Sequence, residues 1–351
     1  MSTVYAAAMV EFAVVEVPTT DLSADTTLLE AIGFQLELVF PADAPRVAVL
    51  TGLGLRLRLD VESTAAPPTI QLDGANEAIE LSAGVKVQPA TPKPLTSDFA
   101  DRFVHAVGGE WGVGRAGMHY RDLIPSRHGG RVIASHIRIV EPGPVPDYVH
   151  HHDVRFQMIY CRRGRVEVVY EDQGESFWMV EGDCVLQPPN IRHRVLASDG
   201  GLEVVEIASP AEHPTHIDNQ IKLPTADVNP ERDFDGQRFS FDRATDGVWT
   251  AAEPGWEHRE TAIEVATSGL ASVRVVRPTE TGTALTGSHE GDLCLFFILT
   301  GEAELGFGEQ THTVAPDDSI ALPRHHDWTL TPTTPHFAAL QVSVSAEEET
   351  P

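Results

Sequence analysis

Short apolar runs recur along the chain about every ten residues, each bounded by Gly, Pro, Asp or Asn, and most alternate apolar with polar positions. Alternation with period two marks strands, so the pattern predicts a mainly β protein with few helices. The clearest helix is Ala24–Ile32, opened by the capping residues Asp21 and Ser23 and stopped by Gly33. Around it the strand-like runs Phe12–Val17, Phe34–Phe40, Arg46–Thr51 and Leu55–Val61 make a small βαβββ module over residues 1–62. Residues 63–98, with Pro67, Pro68, Pro89, Pro92 and Pro94, read as a linker-rich segment. Two β-rich blocks follow, 99–225 and 226–351, and their shared grammar predicts an internal duplication.

Charge narrows the partners. The chain carries 52 acidic against 25 basic side chains, a formal charge of −27. Such a field repels phosphate backbones and anionic lipid surfaces, so nucleic acid and membrane are not expected partners. Cys161, Cys184 and Cys294 are too few and too widely spaced for a disulfide framework or a CxxC knuckle. With no basic n-region ahead of an apolar stretch, a cytoplasmic protein is expected.

The chemistry gathers around histidines. His150 and His152 lie two apart on a predicted strand and share a face, while His151 points away. The full pattern is His150-x-His152, four residues, Gln157, six residues, Gly164; then Gly182, five residues, Pro188, x, Asn190, two residues, His193. These offsets closely resemble the two motifs of the cupin superfamily, with Gln157 at the motif's Glu position and Asn190 at a Gly position. The second block repeats the pattern in reduced form: Gly287-x-His289, Cys294 and Gly301, then Asp317, Pro323 and Trp328. The resemblance implies two tandem cupin (double-stranded β-helix, jelly-roll) barrels, the first with a metal site and the second degenerate and metal-free.

Neutral imidazoles converging from two strands suit borderline divalent ions. His150, His152 and His193 are the expected ligands, and Gln157 is expected to act beside them as a hydrogen-bonding partner. On the predicted strand 131–140, His136 and Arg138 fall on one face; turned to the barrel mouth, they would serve as an acid–base group and a bidentate oxygen binder. Alternation from Gln157 puts Ile159 and Cys161 inside, with Cys184 and Leu186 beside them.

A bicupin with a three-histidine first site is similar in organisation to the gentisate and salicylate dioxygenases. That resemblance implies an Fe(II) cofactor, with Cu, Ni, Mn or Zn as alternatives, a small aromatic or enolic oxygen-chelating substrate, and dioxygen. Bicupins that act as isomerases or decarboxylases through an enolate, and non-catalytic ligand-binding cupins, are the competing implications. The 1–62 module resembles a single vicinal oxygen chelate (glyoxalase-like) module. Its usual first metal ligand would fall near Val14, which cannot ligate, so a structural or dimerising role and a homodimer are the expectations for it.

Overall fold

The computed structural model describes residues 13–41, 44–74, 77–90 and 102–346, and the chain divides near residue 93 into two compact units. The first is built as the alternation predicts. Strands Val15–Pro18, Gln35–Phe40, Val47–Gly52 and Leu55–Asp60 and helix Leu22–Ala31 follow in βαβββ order. Val15–Pro18 runs parallel to Leu55–Asp60. The Asp21 side chain caps the helix by accepting from the Ala24 amide at 3.0 Å, which satisfies one of the free amides of the first turn. Phe12 lies outside the described residues.

Residues 63–98 are not simply linker. Strands Thr69–Leu72, Ile79–Glu80 and Lys86–Pro89 form a small sheet of their own. Ile70, Leu81, Val85 and Val87 pack into one core with Val17, Leu29, Leu50 and Leu57. The buried Asp25 carboxylate in the helix accepts from Thr19 Oγ1 at 2.6 Å and from the Ser82 amide and hydroxyl at 2.8 and 2.7 Å. Pro67, Pro68 and Pro89 punctuate this stretch without unfolding it, because its few apolar residues have a core to enter; Pro92 and Pro94 lie outside the described residues.

The second unit contains two jelly rolls, each made of two facing sheets with no closed barrel. In the first, the large sheet runs Ser240–Asp242, Cys184–Leu186, Phe156–Arg163, Leu202–Ser209, Ile133–Ile139, His119–Asp122, Gly112–Val113. The smaller sheet runs Phe177–Val180, Arg165–Tyr170, His193–Ser198, His150–His152, Thr215–Ile217. In the second jelly roll the large sheet is Trp249–Ala251, Trp256–Glu260, Ala271–Pro278, Ala338–Val344, Leu293–Thr300, Ser319–Ala321, Val104–Ala106. Its partner is Leu285–Gly287, Trp328–Pro332, Ala303–Phe307, Gln310–Val314. The central four strands of the two large sheets correspond one to one, in keeping with the predicted duplication.

The halves also exchange edges. Ser240–Asp242 adds to Cys184–Leu186 of the first jelly roll, and Val104–Ala106 adds to Ser319–Ala321 of the second. A division of the chain at 99 and 226 therefore separates sequence blocks but cuts across both sheets. Capping an open sheet edge with the other half's strand removes a row of unpaired backbone groups.

One apolar cluster joins the two large sheets. It takes Phe156, Met158, Tyr160, Cys184, Leu186, Val205 and Ile207 from the first, and Val273, Val275, Leu295, Phe297, Leu340 and Val342 from the second. Each large sheet is thus covered on both faces, which blurs the alternation that would tell inside from outside. This corrects one expectation: Cys184 and Leu186 face the other jelly roll, whereas Val185 points into the first jelly roll with Cys161. Among the described residues no helix is long and apolar enough to cross a membrane.

Candidate metal centre

The three motif histidines come together on the small sheet of the first jelly roll. His150 pairs directly with His193 across neighbouring antiparallel strands, and His152 follows two residues on, on the same face. Their ring centroids lie 4.2 Å apart for His150–His193, 5.1 Å for His150–His152 and 5.3 Å for His152–His193. All three are buried, and one nitrogen from each lies within 4.8 Å of the others.

Turn residues set this meeting. The motif position held by Asn190 has φ +62°, and its counterpart His325 in the second jelly roll has φ +58°. Asn, Asp and His tolerate the left-handed region better than other side chains, so these departures from Gly keep the turn. From it, the Asn190 amide donates to the His152 carbonyl at 3.1 Å and ties the second motif to the first.

The outer nitrogens are already engaged. His150 Nδ1–H donates to the Tyr148 carbonyl at 2.8 Å, and His193 Nδ1–H to the Ile191 carbonyl at 3.0 Å. His152 Nδ1 pairs with Thr215 Oγ1 at 3.1 Å. A carbonyl only accepts, so Nδ1 of His150 and His193 holds the proton and Nε2 keeps its lone pair. His150 Nε2 is buried with no hydrogen-bond partner. Burial, and then the neighbouring imidazoles, hold His152 and His193 well below the usual histidine range; burial and Arg115 lower His150. Neutral rings with anchored Nδ1 atoms and an orphaned Nε2 fit a divalent metal ion.

Beside the cluster lies a cavity of about 60 Å³, walled by Met118, Ile137, Ile159, Val168, Met179 and Val204. His152, His193, Arg115, Tyr120, Tyr170, Gln187, Arg194 and Glu206 supply its polar points. Arg115 is ion-paired with the buried Asp147, while Arg194 Nε is buried without a hydrogen-bond partner. Burial raises Tyr120 to about 12, keeping its phenol protonated. Gln157 is buried, and its side chain hydrogen-bonds Glu206.

His136 and Arg138 are elsewhere. On strand Ile133–Ile139 it is Ile137 and Ile139 that line the cavity, so the alternate residues face the second jelly roll. His136 Nδ1 accepts from Arg121 Nη2 at 2.9 Å, and its Nε2–H donates to Glu203 at 3.1 Å. Its ring meets Trp111 and, from the second jelly roll, Phe297. Arg138 lies over the Trp111 ring, 4.1 Å from its centroid. His136, Glu203 and Asp317 do cluster within 4.8 Å. Arg162 and Arg163 already pair with Asp317 and Glu203, however, making this an ionic seam between the halves. The strand is apolar enough on both faces that alternation alone does not choose its inner one.

Glu206 is the residue sequence reading missed. Its signal was present: a carboxylate inside the run Leu202-Glu-Val-Val-Glu206-Ile-Ala, on the same alternation as Leu202 and Val204.

In the second jelly roll, Gly287 pairs with Trp328 where His150 pairs with His193. A Cβ on Gly287 would lie 2.8 Å from Trp328 Cζ2, so the indole covers the glycine. His289 Nε2–H donates to the Leu322 carbonyl at 2.7 Å. Burial pushes the Cys294 thiol up to about 12.

The model of the cupin domain matches residues 136–208, and no curated protein matches the sequence. Among solved structures, salicylate 1,2-dioxygenase G106A from Pseudoaminobacter salicylatoxidans in complex with gentisate is similar at TM-score 0.52 and 17% identity, over 66% of this chain and 76% of that one. Protein Ylba from E. coli matches at TM-score 0.51 and 10% identity, over 75% and 100%. Oxalate decarboxylase from Bacillus subtilis, described with Mn(II) centres, matches at TM-score 0.50 and 13% identity, over 74% and 79%. At these identities the likeness is one of fold: residues 136–208 match the cupin domain model, within a chain of two cupin-like jelly rolls.

Proposed function

We propose that this protein is a metal-dependent enzyme acting on a small oxygen-chelating substrate, with His150, His152 and His193 as the metal ligands. The observation that carries the reading is the orphaned, buried His150 Nε2 beside two further imidazoles whose Nδ1 atoms are anchored, at the wall of an apolar cavity. A divalent ion there, Fe(II) in the leading reading, would supply Lewis-acid polarisation of substrate oxygens and access to dioxygen chemistry. Three protein ligands leave coordination positions for substrate and dioxygen. The chain's own share is to hold the imidazoles neutral, to exclude water with Ile137, Ile159 and Val204, and to offer Arg194 to a substrate oxygen. The leading reaction is a dioxygenase cleavage of an enolic or aromatic substrate. The likeness to salicylate 1,2-dioxygenase supports the architecture this needs.

Size and one side chain favour a second reading, an isomerase or decarboxylase working through an enolate. A cavity that holds a benzene ring runs to about 150 Å³, against about 60 Å³ here, so a small enolisable acid fits without widening. Glu206 places a carboxyl at that wall.

The test is elemental analysis of untagged protein purified without air, wild type against His152→Ala, followed by oxygen uptake on enolic and phenolic acids. Near-stoichiometric iron that disappears in the variant, with oxygen uptake lost alongside it, is the expected result. Turnover by a metal-free variant would overturn the proposal. Manganese or nickel without oxygen uptake would select the second reading.

A further inference from the structure

Resting on the metal-dependent reading above, we propose that Glu206 is the acid–base group of this cavity, moving a proton to or from carbon on an enolisable acid held beside the three histidines. Strand Leu202–Ser209 sits at the centre of the large sheet, and Glu206 pairs across it with Ser135 on one side and Ile159 on the other. Leu202 and Val204 share its inward face and line the same cavity. Glu206 is partly buried, and its side chain lines that cavity on the inner face of the sheet. An ionised carboxylate so enclosed is costly unless paired.

Pairing is what Glu206 lacks. The nearest guanidinium, Arg115, is bonded to Asp147, whose second oxygen accepts from the Val195 amide. The partner that Glu206 does have is the neutral amide of Gln157. The other titratable groups around the cavity are the phenols of Tyr120 and Tyr170, the guanidinium of Arg194 and the imidazoles of His152 and His193. Tyr170 is pushed up by burial and is hydrogen-bonded to Gln187. Enclosure raises the Glu206 carboxyl above its ordinary range, against the pull of Arg115 and Gln157. A carboxyl with these surroundings holds its proton to higher pH than an ordinary glutamate, the direction in which general acid–base catalysis tunes a carboxyl. It is not a member of the metal-ligand cluster, which among the described residues is His150, His152 and His193.

In the proton-transfer step the carboxylate of Glu206 takes a proton from the carbon next to a carbonyl. The C–H bond breaks, its electron pair becomes the enolate C=C, and an O–H bond forms on Glu206. Return of that proton to a different carbon of the conjugated enolate restores the carboxylate; in a decarboxylation the C–C bond to the departing carbon dioxide breaks instead, its electron pair becomes the enolate, and protonated Glu206 gives its proton to that carbon. No oxidant or reductant enters the balance.

Two measurements on wild type, Glu206→Gln and Glu206→Asp test this. The first is thermal stability against pH without metal. A carboxyl whose folded pKa is raised destabilises the fold progressively as pH climbs from the unfolded value through the folded one. Glu206→Gln is therefore expected to gain stability over wild type with rising pH and to converge with it at acid pH. A pH-independent difference would overturn the proposal. The second measurement is deuterium exchange at C3 of pyruvate in D₂O by protein reconstituted with manganese(II). Exchange is expected to fall a hundredfold or more in Glu206→Gln with bound manganese unchanged, a loss in the roughly 10²–10⁴-fold range for general acid–base groups, and to be partly kept in Glu206→Asp. Equal rates in wild type and Glu206→Gln, or no exchange by fully loaded wild type, would overturn it. Failure of wild type to bind metal would instead break the metal reading, with the pH titration still deciding the state of Glu206.

Discussion

The two jelly rolls share one topology and differ in what stands at one cross-strand pair. In the first, His150 faces His193, and a cavity opens beside them. In the second the same pair is Gly287 and Trp328, and the space is filled by an indole that touches Phe296 edge-on at 5.1 Å between centroids. Around it Trp256, Phe296, Phe337 and Leu330 complete a solid core. The first interior surrounds its cavity with Val, Ile and Met, two tyrosines and Glu206, and its phenylalanines, Phe234, Phe177, Phe239 and Phe241, pack outside the cavity lining. A fold of this kind can therefore be stabilised from within by large aromatics, or it can keep a polar cavity and draw its stability from elsewhere. The first jelly roll draws it from the apolar cluster it shares with the second.

That division of labour can be broken from the largest effect downward. Ending the chain after residue 225 removes the strand Ser240–Asp242 and every second-half residue of the shared cluster. The remaining first jelly roll is expected to be insoluble or molten, read by size-exclusion chromatography and near-ultraviolet circular dichroism. A monodisperse, cooperatively folding fragment would show that the halves are independent.

Within the second half, Trp328→Ala should cost about 3–5 kcal/mol, the usual range for emptying a buried indole site, because Trp328 is buried and its Nε1 has no partner to lose. Gly287→Ala alone should cost about 1–3 kcal/mol through overpacking, since the new methyl meets the indole. The two changes should couple: in the Trp328→Ala background, Gly287→Ala should lose most of its cost, measured by a double-mutant cycle in denaturant unfolding. Additive costs would mean that the indole does not occupy the place of the missing histidine pair.

The smallest effect belongs to the seam. The His136 hydrogen bond, followed by the charges around it, lowers the Glu203 carboxyl below its ordinary value. A depressed carboxyl contributes stability above its unfolded pKa and loses it as pH falls through the folded one. Glu203→Gln should then be less stable than wild type at neutral pH and approach it at acid pH, in thermal scans across that range. His136 is buried, but the Glu203 side chain keeps 19% of its exposure, which holds the difference down.

Reading the sequence alone reached some of these elements and missed others for identifiable reasons. The βαβββ order was readable because Asp21, Gly33 and the period-two runs act locally. The three-histidine cluster was readable because fixed spacings between His150, Gly164, Gly182 and His193 encode turns, and Asn190 and His325 keep the left-handed backbone where glycine is absent. The faces of Ile133–Ile139 and Cys184–Leu186 were not, since a strand buried on both sides carries no inside label. That ambiguity placed His136 and Arg138 at the cavity, when they serve the seam, and left Glu206 unnoticed.

What this sequence determines by itself is everything that depends on near neighbours: strand after strand, the one capped helix, the repeated motif and the turn geometry that lets His150 meet His193. The tertiary structure decided which half covers which. It set the exchange of Ser240–Asp242 for Val104–Ala106, the entry of residues 69–90 into the first unit's core, and the inner face of each central strand. Those outcomes depend on burying one apolar surface against another far along the chain, and no local pattern records the partner.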